Sequence, residues 1–115
     1  MSIEIYHNPR CSKSRQTLQL LQDKGIEADV VEYLKTPPDK ATLERILAML
    51  GLEPRELMRK KEKEYKALQL DDPQLSRDQL IEAMIANPKL IERPIVVQDG
   101  KAAIGRPPEK VLEIL

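Results

Sequence analysis

Ile3-Glu4-Ile5-Tyr6-His7-Asn8-Pro9-Arg10-Cys11-Ser12-Lys13-Ser14-Arg15 decides how the rest of the chain is read. Ile3 and Ile5 alternate with Glu4 and Tyr6, the period of a short strand. His7-Asn8-Pro9 breaks it, and a helical pattern runs from Cys11 to Lys24, with Leu18 and Leu21 on one face and Leu20 beside them. Gly25 supplies the stop. Ala28 to Tyr33, around Val30 and Val31, reads as a second strand, so residues 2–33 form strand, helix, strand. Two strands so joined in one sheet are parallel, with a right-handed crossover.

Outward from this unit, Thr36-Pro37-Pro38-Asp39 opens a helix whose Leu43, Ile46, Leu47 and Leu50 form an apolar stripe, and Gly51 ends it. Pro54 starts a short helix carrying Leu57, Met58 and Arg59. Residues 60–70 are strongly charged; Lys60 to Lys66 reads as a solvated face, with Tyr65 and Leu68 as anchors. Ser76 and Gln79 make a capping box ahead of Leu80, Ile81, Met84 and Ile85, and this helix closes before Pro88. Ile95-Val96-Val97 is a central strand, Asp99-Gly100 a hairpin signal, and Ala102 to Ile104 the returning strand. Pro107-Pro108 introduces a last helix with Val111, Leu112 and Leu115 inward. Met49, Met58 and Met84 lie on apolar stripes and belong to the core, while Tyr6, Tyr33 and Tyr65 are too scattered to form a cluster. The order is βαβ, a helical insert over about 39–88, then ββα: an α/β protein with a small mixed four-stranded sheet.

At roughly 100–200 residues per domain, 115 residues make a single domain, 1–115. Nineteen basic and nineteen acidic side chains cancel, which argues against nucleic acid bound through a general positive field. Three Tyr and no Phe or Trp leave no stacking platform for single strands. No apolar run is long enough to span a membrane, and Met1-Ser2-Ile3-Glu4 does not begin a secretory signal. One cysteine excludes an internal disulfide, and one Cys with one His argues against a structural metal site, so a reducing cytoplasm is expected.

Cys11 stands where the first strand turns into the first helix. Free backbone N–H groups and the positive end of the helix dipole favour thiolate over thiol there, and Arg10, Lys13 and Arg15 add charge. The alternative is a buried structural cysteine. His7 could stabilise the sulfur when protonated or move a proton when neutral, or simply cap a backbone carbonyl. Ser14, one turn from Cys11, could donate to the sulfur or be a solvated helix serine. Arg93 and Arg106 each precede a proline and flank the hairpin; two guanidinium forks suit a tetrahedral oxyanion, although each alone reads as a surface charge. Nothing in composition or spacing distinguishes Arg59, which reads as a solvated side chain. A Cys-based phosphatase loop needs an arginine five residues after the cysteine; Arg15 follows Cys11 by four.

His7-Asn8-Pro9, Cys11, Ser14-Arg15, Tyr33-Leu34, Thr36-Pro37-Pro38, Arg93-Pro94-Ile95-Val96-Val97 and Gly105-Arg106-Pro107-Pro108-Glu109 resemble, in consistent order, the glutaredoxin-dependent arsenate reductase family, ArsC. Cys11-Ser12-Lys13-Ser14-Arg15 and Lys60-Lys61-Glu62 resemble its YfgD-like subset of bacterial oxidoreductases. The resemblance implies a thioredoxin-like fold and a cis peptide at Arg93-Pro94. It implies Cys11 as nucleophile, His7 and Ser14 as its activators, and Arg59, Arg93 and Arg106 as the arginines that bind the oxyanion. It implies arsenate or a similar oxyanion as substrate, no bound cofactor, glutathione as co-substrate and glutaredoxin as partner, in a monomer. The Cys-Gly-Thr-Ser-Arg type loop of the characterised reductases is replaced here by Cys11-Ser12-Lys13-Ser14-Arg15, and Gly105 stands where a bulkier residue occurs. Two other functions sit on the same fold: a glutathione-linked thiol oxidoreductase, and an Spx-like regulator that binds RNA polymerase. The Cys-x-x-Cys switch of the latter is absent, because position 14 is serine.

Overall fold

A computed structural model describes residues 3–115. The chain divides into two compact units. One is formed by the residues up to Thr36 together with Arg93–Leu115, the other by Pro37–Glu92. Ser2, part of the expected stretch 2–33, and Met1 lie outside the described residues.

The discontinuous unit contains the sheet. Its strands are β1 (Ile3–Tyr6), β2 (Asp29–Val31), β3 (Ile95–Gln98) and β4 (Lys101–Ile104), in spatial order β2-β1-β3-β4. β1 runs parallel to β2, with Ile5 opposite Val30, and antiparallel to β3, with Ile5 opposite Val96. β3 and β4 pair antiparallel across a tight turn. Asp99 and Gly100 both take positive φ there, 50° and 75°, as a turn that matches strand twist requires. Helix α1 (Ser12–Asp23) connects β1 to β2. Ile5, Leu21, Val96 and Val111 form a fully buried cluster, with Leu18, Leu20, Ile26, Ala103 and Ile114 packed on it. The mixed α/β arrangement expected from the sequence is thus the one observed.

The details differ in instructive ways. β2 is an edge strand of three residues rather than the longer run Ala28 to Tyr33, and Val30 is 47% exposed because no neighbour covers that edge. The buried residues of α1 are Ser14, Thr17 and Leu21, so two polar side chains occupy the inward face. The last helix is 3-10, over Pro108–Ile114. With three residues per turn, Pro108, Val111 and Ile114 share a face. Leu112 and Leu115, expected inward on an α-helical count, are therefore exposed.

The inserted unit is helical: α2 (Lys40–Leu50), α3 (Pro54–Leu57), α4 (Lys63–Ala67) and α5 (Arg77–Ala86), followed by a 3-10 turn at Pro88–Leu90. The Asp39 side chain caps α2 by accepting the Thr42 N–H at 2.8 Å. Ser76 and Gln79 form the expected capping box at the start of α5. Leu43, Ile46 and Leu47 of α2 are buried, as are Leu80, Ile81 and Met84 of α5, the helix α2 packs on; Leu50, Met49 and Ile85 are half-buried. α3 stops at Leu57, so Met58 and Arg59 are not helical as expected: Met58 bridges to Ile91, and the Arg59 N–H donates to Leu90 O at 2.7 Å. In the charged segment Leu68 is 47% exposed and Leu70 is the buried anchor. Gln69, at φ 54°, reverses the chain between them.

Candidate active site

β1 delivers His7 to the sheet's end, where its N–H donates to Val31 O at 2.9 Å. The loop that follows is held from within. Asn8 Oδ1 accepts the Arg10 N–H and Asn8 O accepts the Cys11 N–H, both at 3.0 Å, while Arg15 Nη1 donates to Pro9 O at 2.9 Å. Cys11 is the N-cap of α1, in extended conformation (φ −96°, ψ 124°), a free thiol only 8% exposed. A cysteine makes no side-chain cap here, so the first-turn amides of α1 keep their positive character beside the sulfur.

Arg106 supplies the cation. Its Nη2 lies 3.5 Å from Cys11 Sγ, and its Nε donates to Arg93 O at 2.8 Å. The Gly105 N–H donates to Pro94 O at 2.9 Å, tying the end of β4 to the start of β3. The Arg93-Pro94 peptide is cis, as the family resemblance implies, and Arg106-Pro107 is cis too, which the sequence does not announce. Arg93, Arg106 and Cys11, from separate parts of the sequence, belong to one local structure. The sequence allows Ser14 to donate to the sulfur; in the structure it is engaged elsewhere. Ser14 Oγ accepts the Asn8 N–H at 3.0 Å and lies 2.6 Å from His7 Nδ1. Ser14 is fully buried and His7 is 6% exposed. Burial pushes His7 below its ordinary 6.5, against the opposing charge of Glu32 and with the help of Arg15. Burial thus disfavours the charged form of the ring.

Arg59 is found in the inserted unit, where Nη1 lies 2.7 Å from Glu62 Oε1 and Nε 3.7 Å from Glu92 Oε1. It is an ion-paired side chain, where composition suggests a freely solvated one. The packing of two residues escapes the sequence reading. Thr17 is fully buried and donates from Oγ1 to Lys13 O at 2.8 Å; its only signal is its spacing of three from Ser14. Gly105 carries no turn signature at all. Among the described residues no group of three or more His, Cys, Asp or Glu could hold a metal ion, and no helix is long and apolar enough to cross a membrane.

A strand-helix-strand unit and an antiparallel hairpin completing its sheet define a thioredoxin-like α/β protein, and the single thiol at the helix N-cap is its candidate reacting group. The profile of the ArsC family matches residues 6–114, and the chain belongs to that family. It is 62% identical over 98% of its length to YfgD of Escherichia coli strain K12, covering 96% of that protein. It is 53% identical to an arsenate reductase of Neisseria meningitidis, covering 98% of this chain and 97% of that one. The solved structure of an arsenate reductase from Vibrio cholerae superposes with a TM-score of 0.97 at 59% identity, covering 100% of this chain and 98% of that one.

Proposed function

We propose that this chain is an arsenate reductase of the glutathione- and glutaredoxin-dependent type. The observation that carries the proposal is the guanidinium of Arg106 at 3.5 Å from Cys11 Sγ. An anionic nucleophile attacking an anionic oxyanion needs a cation beside both, and a fork of N–H donors fits a tetrahedral oxyanion. The relatives named arsenate reductase, 53% and 50% identical in Neisseria meningitidis and Haemophilus influenzae, favour arsenate as that oxyanion.

In this reading the Cys11 sulfur attacks arsenic(V), forms an S–As bond and expels water from the protonated oxyanion. Arg106 and Arg93 hold the oxygens as charge builds on them, and the neutral His7–Ser14 pair accepts or returns the proton. Arg59 enters from the family resemblance. A glutathione thiol then attacks the Cys11 sulfur. The new S–S bond supplies the two electrons that reduce arsenic(V) to arsenic(III), and the S–As bond breaks to release arsenite. A glutaredoxin thiol takes the glutathione and returns Cys11 to its reduced state. Cys11 is the chain's one cysteine, so it has no internal partner to complete a disulfide and the resolving thiol must come from outside. Reduced glutathione and a free thiol suit a protein working in the cytoplasm, and the chain is proposed to act as a monomer.

The test is NADPH consumption with arsenate, glutathione, glutaredoxin and glutathione reductase. Turnover that requires arsenate and disappears in Cys11→Ser supports the proposal. Absence of arsenate-dependent turnover in a protein whose Cys11 is readily alkylated overturns it, and turnover of a glutathionylated substrate instead would assign the thiol oxidoreductase function.

A further inference from the structure

We infer that Thr17 and Gly105 form a steric notch that positions Arg106 against the Cys11 sulfur; this rests on the proposed function only in taking Cys11 as the reacting thiol. Gly105 lies outside the positive-φ region, unlike Gly25, Gly51 and Gly100, so its backbone does not require glycine. Space does. A Cβ at this position would overlap Thr17 Oγ1, stand 2.8 Å from Pro94 Cγ and 3.1 Å from Thr17 Cγ2. Real carbon atoms do not approach so closely in a packed interior, and the neighbours have little freedom to retreat. Thr17 is fully buried, β-branched, and fixed in rotamer by its bond to Lys13 O at 2.8 Å. Pro94 is buried, and its carbonyl accepts the Gly105 N–H.

Three segments therefore meet at one point. Thr17 belongs to the helix that Cys11 caps, and Gly105 is bonded directly to Arg106. Pro94 follows Arg93, whose carbonyl orients the Arg106 guanidinium. A side chain at 105 pushes the Arg106 backbone away from α1 and so from the sulfur; a smaller residue at 17 lets it drift. Neither Thr17 nor Gly105 touches substrate, so both are positioning residues.

The experiment is the rate of Cys11 alkylation by iodoacetamide at pH 7, read by mass spectrometry, in a double-mutant cycle with Arg106→Gln. Losing the charge-assisted contact in Arg106→Gln should slow alkylation about tenfold. Gly105→Ala should change it in the same direction, by about threefold or more, and should change it no further when combined with Arg106→Gln. Adding Thr17→Ala to Gly105→Ala removes Oγ1 and Cγ2 and should recover part of the loss. Circular dichroism and melting establish that each variant is folded; if Gly105→Ala does not fold, Thr17→Ala carries the same cycle, with the same dependence on Arg106 expected. A rate unchanged by the variant tested, or a change equal in size with and without the Arg106→Gln substitution, overturns the inference. Alkylation needs no arsenate, so a wild-type protein that fails to reduce arsenate would remove the proposed function and leave this cycle readable.

Discussion

Arg106 Nη2 lies 3.5 Å from Cys11 Sγ across a sequence separation of 95 residues, and the same guanidinium spends its Nε on Arg93 O. One planar group thus faces the sulfur while being aimed by the backbone of the other hairpin arginine. A lysine carries the charge but lacks the fixed fork. Arg106→Lys should lower kcat/KM for arsenate by roughly tenfold or more, and Arg106→Gln further, because the charge is also lost. The side chain is exposed, so melting temperatures should barely move. Steady-state kinetics beside thermal melts would check both halves.

His7 makes the fold pH-sensitive, and the sign follows from its environment. Its folded value lies below the ordinary 6.5 because burial disfavours the charged ring. Between those two values the unfolded chain binds the extra proton, so stability rises with pH. The contribution is fully present above about 6.5 and is lost as pH falls through the lower, folded value. Urea unfolding at steps from pH 7.5 to 5 should show this decline in wild type and a flatter profile in His7→Gln. An equally steep profile in the variant would assign the slope to other groups.

Ser14→Ala should destabilise the protein by about 1–3 kcal/mol, since it strips a partner from the Asn8 N–H and from His7 Nδ1 in a buried place. The midpoint of urea unfolding measures it, provided the m-value is unchanged. In the proposed reaction the same variant should lower kcat more than it raises KM, because the pair handles a proton rather than substrate.

Arg59 offers a clean separation of stability from function. Its partners Glu62 and Glu92 and its own side chain are each 28% exposed, so these ion pairs contribute less than about 1 kcal/mol. Arg59→Ala should therefore melt close to wild type. A fall of roughly tenfold or more in kcat/KM for arsenate would give Arg59 a part in the proposed reaction; unchanged kinetics would leave it an ion pair within its own unit.

Much of this is legible in the sequence, for identifiable reasons. The alternation at Ile3–Tyr6, the stripe from Leu43 to Leu47, the Ser76–Gln79 box and Asp99-Gly100 each encode a local preference that tertiary packing leaves alone. Cys11 stands out in the sequence because its neighbours are charged residues at a helix start, yet the fold buries it to 8% exposure. Leu112 and Leu115 read as inward because Pro107-Pro108 announces a helix without saying whether its period is 3.6 or three. Leu68 reads as the anchor in place of Leu70 because nothing in the composition shows the reversal at Gln69. The burial of Thr17 and Ser14 is hidden by chemistry: apolar patterning cannot mark a buried face that is polar and satisfied. Gly105 is hidden because its role is a space, and a space is defined only by the neighbours that would fill it.

The unit that holds Cys11 is interrupted by Pro37–Glu92, and this has a consequence for how the protein is born. Synthesis runs from the N-terminus, so the ribosome releases the thiol, its histidine and its helix first. The strand β3 that completes the other side of β1 comes only after the insert, followed by Arg93's hairpin partner Arg106, nine residues from the end of this chain. Until Arg106 is made, Cys11 is a sulfur without its guanidinium. A polypeptide that stops before position 106 has Cys11 and its helix but none of the Arg106 contact, so truncation removes the guanidinium before it touches the thiol.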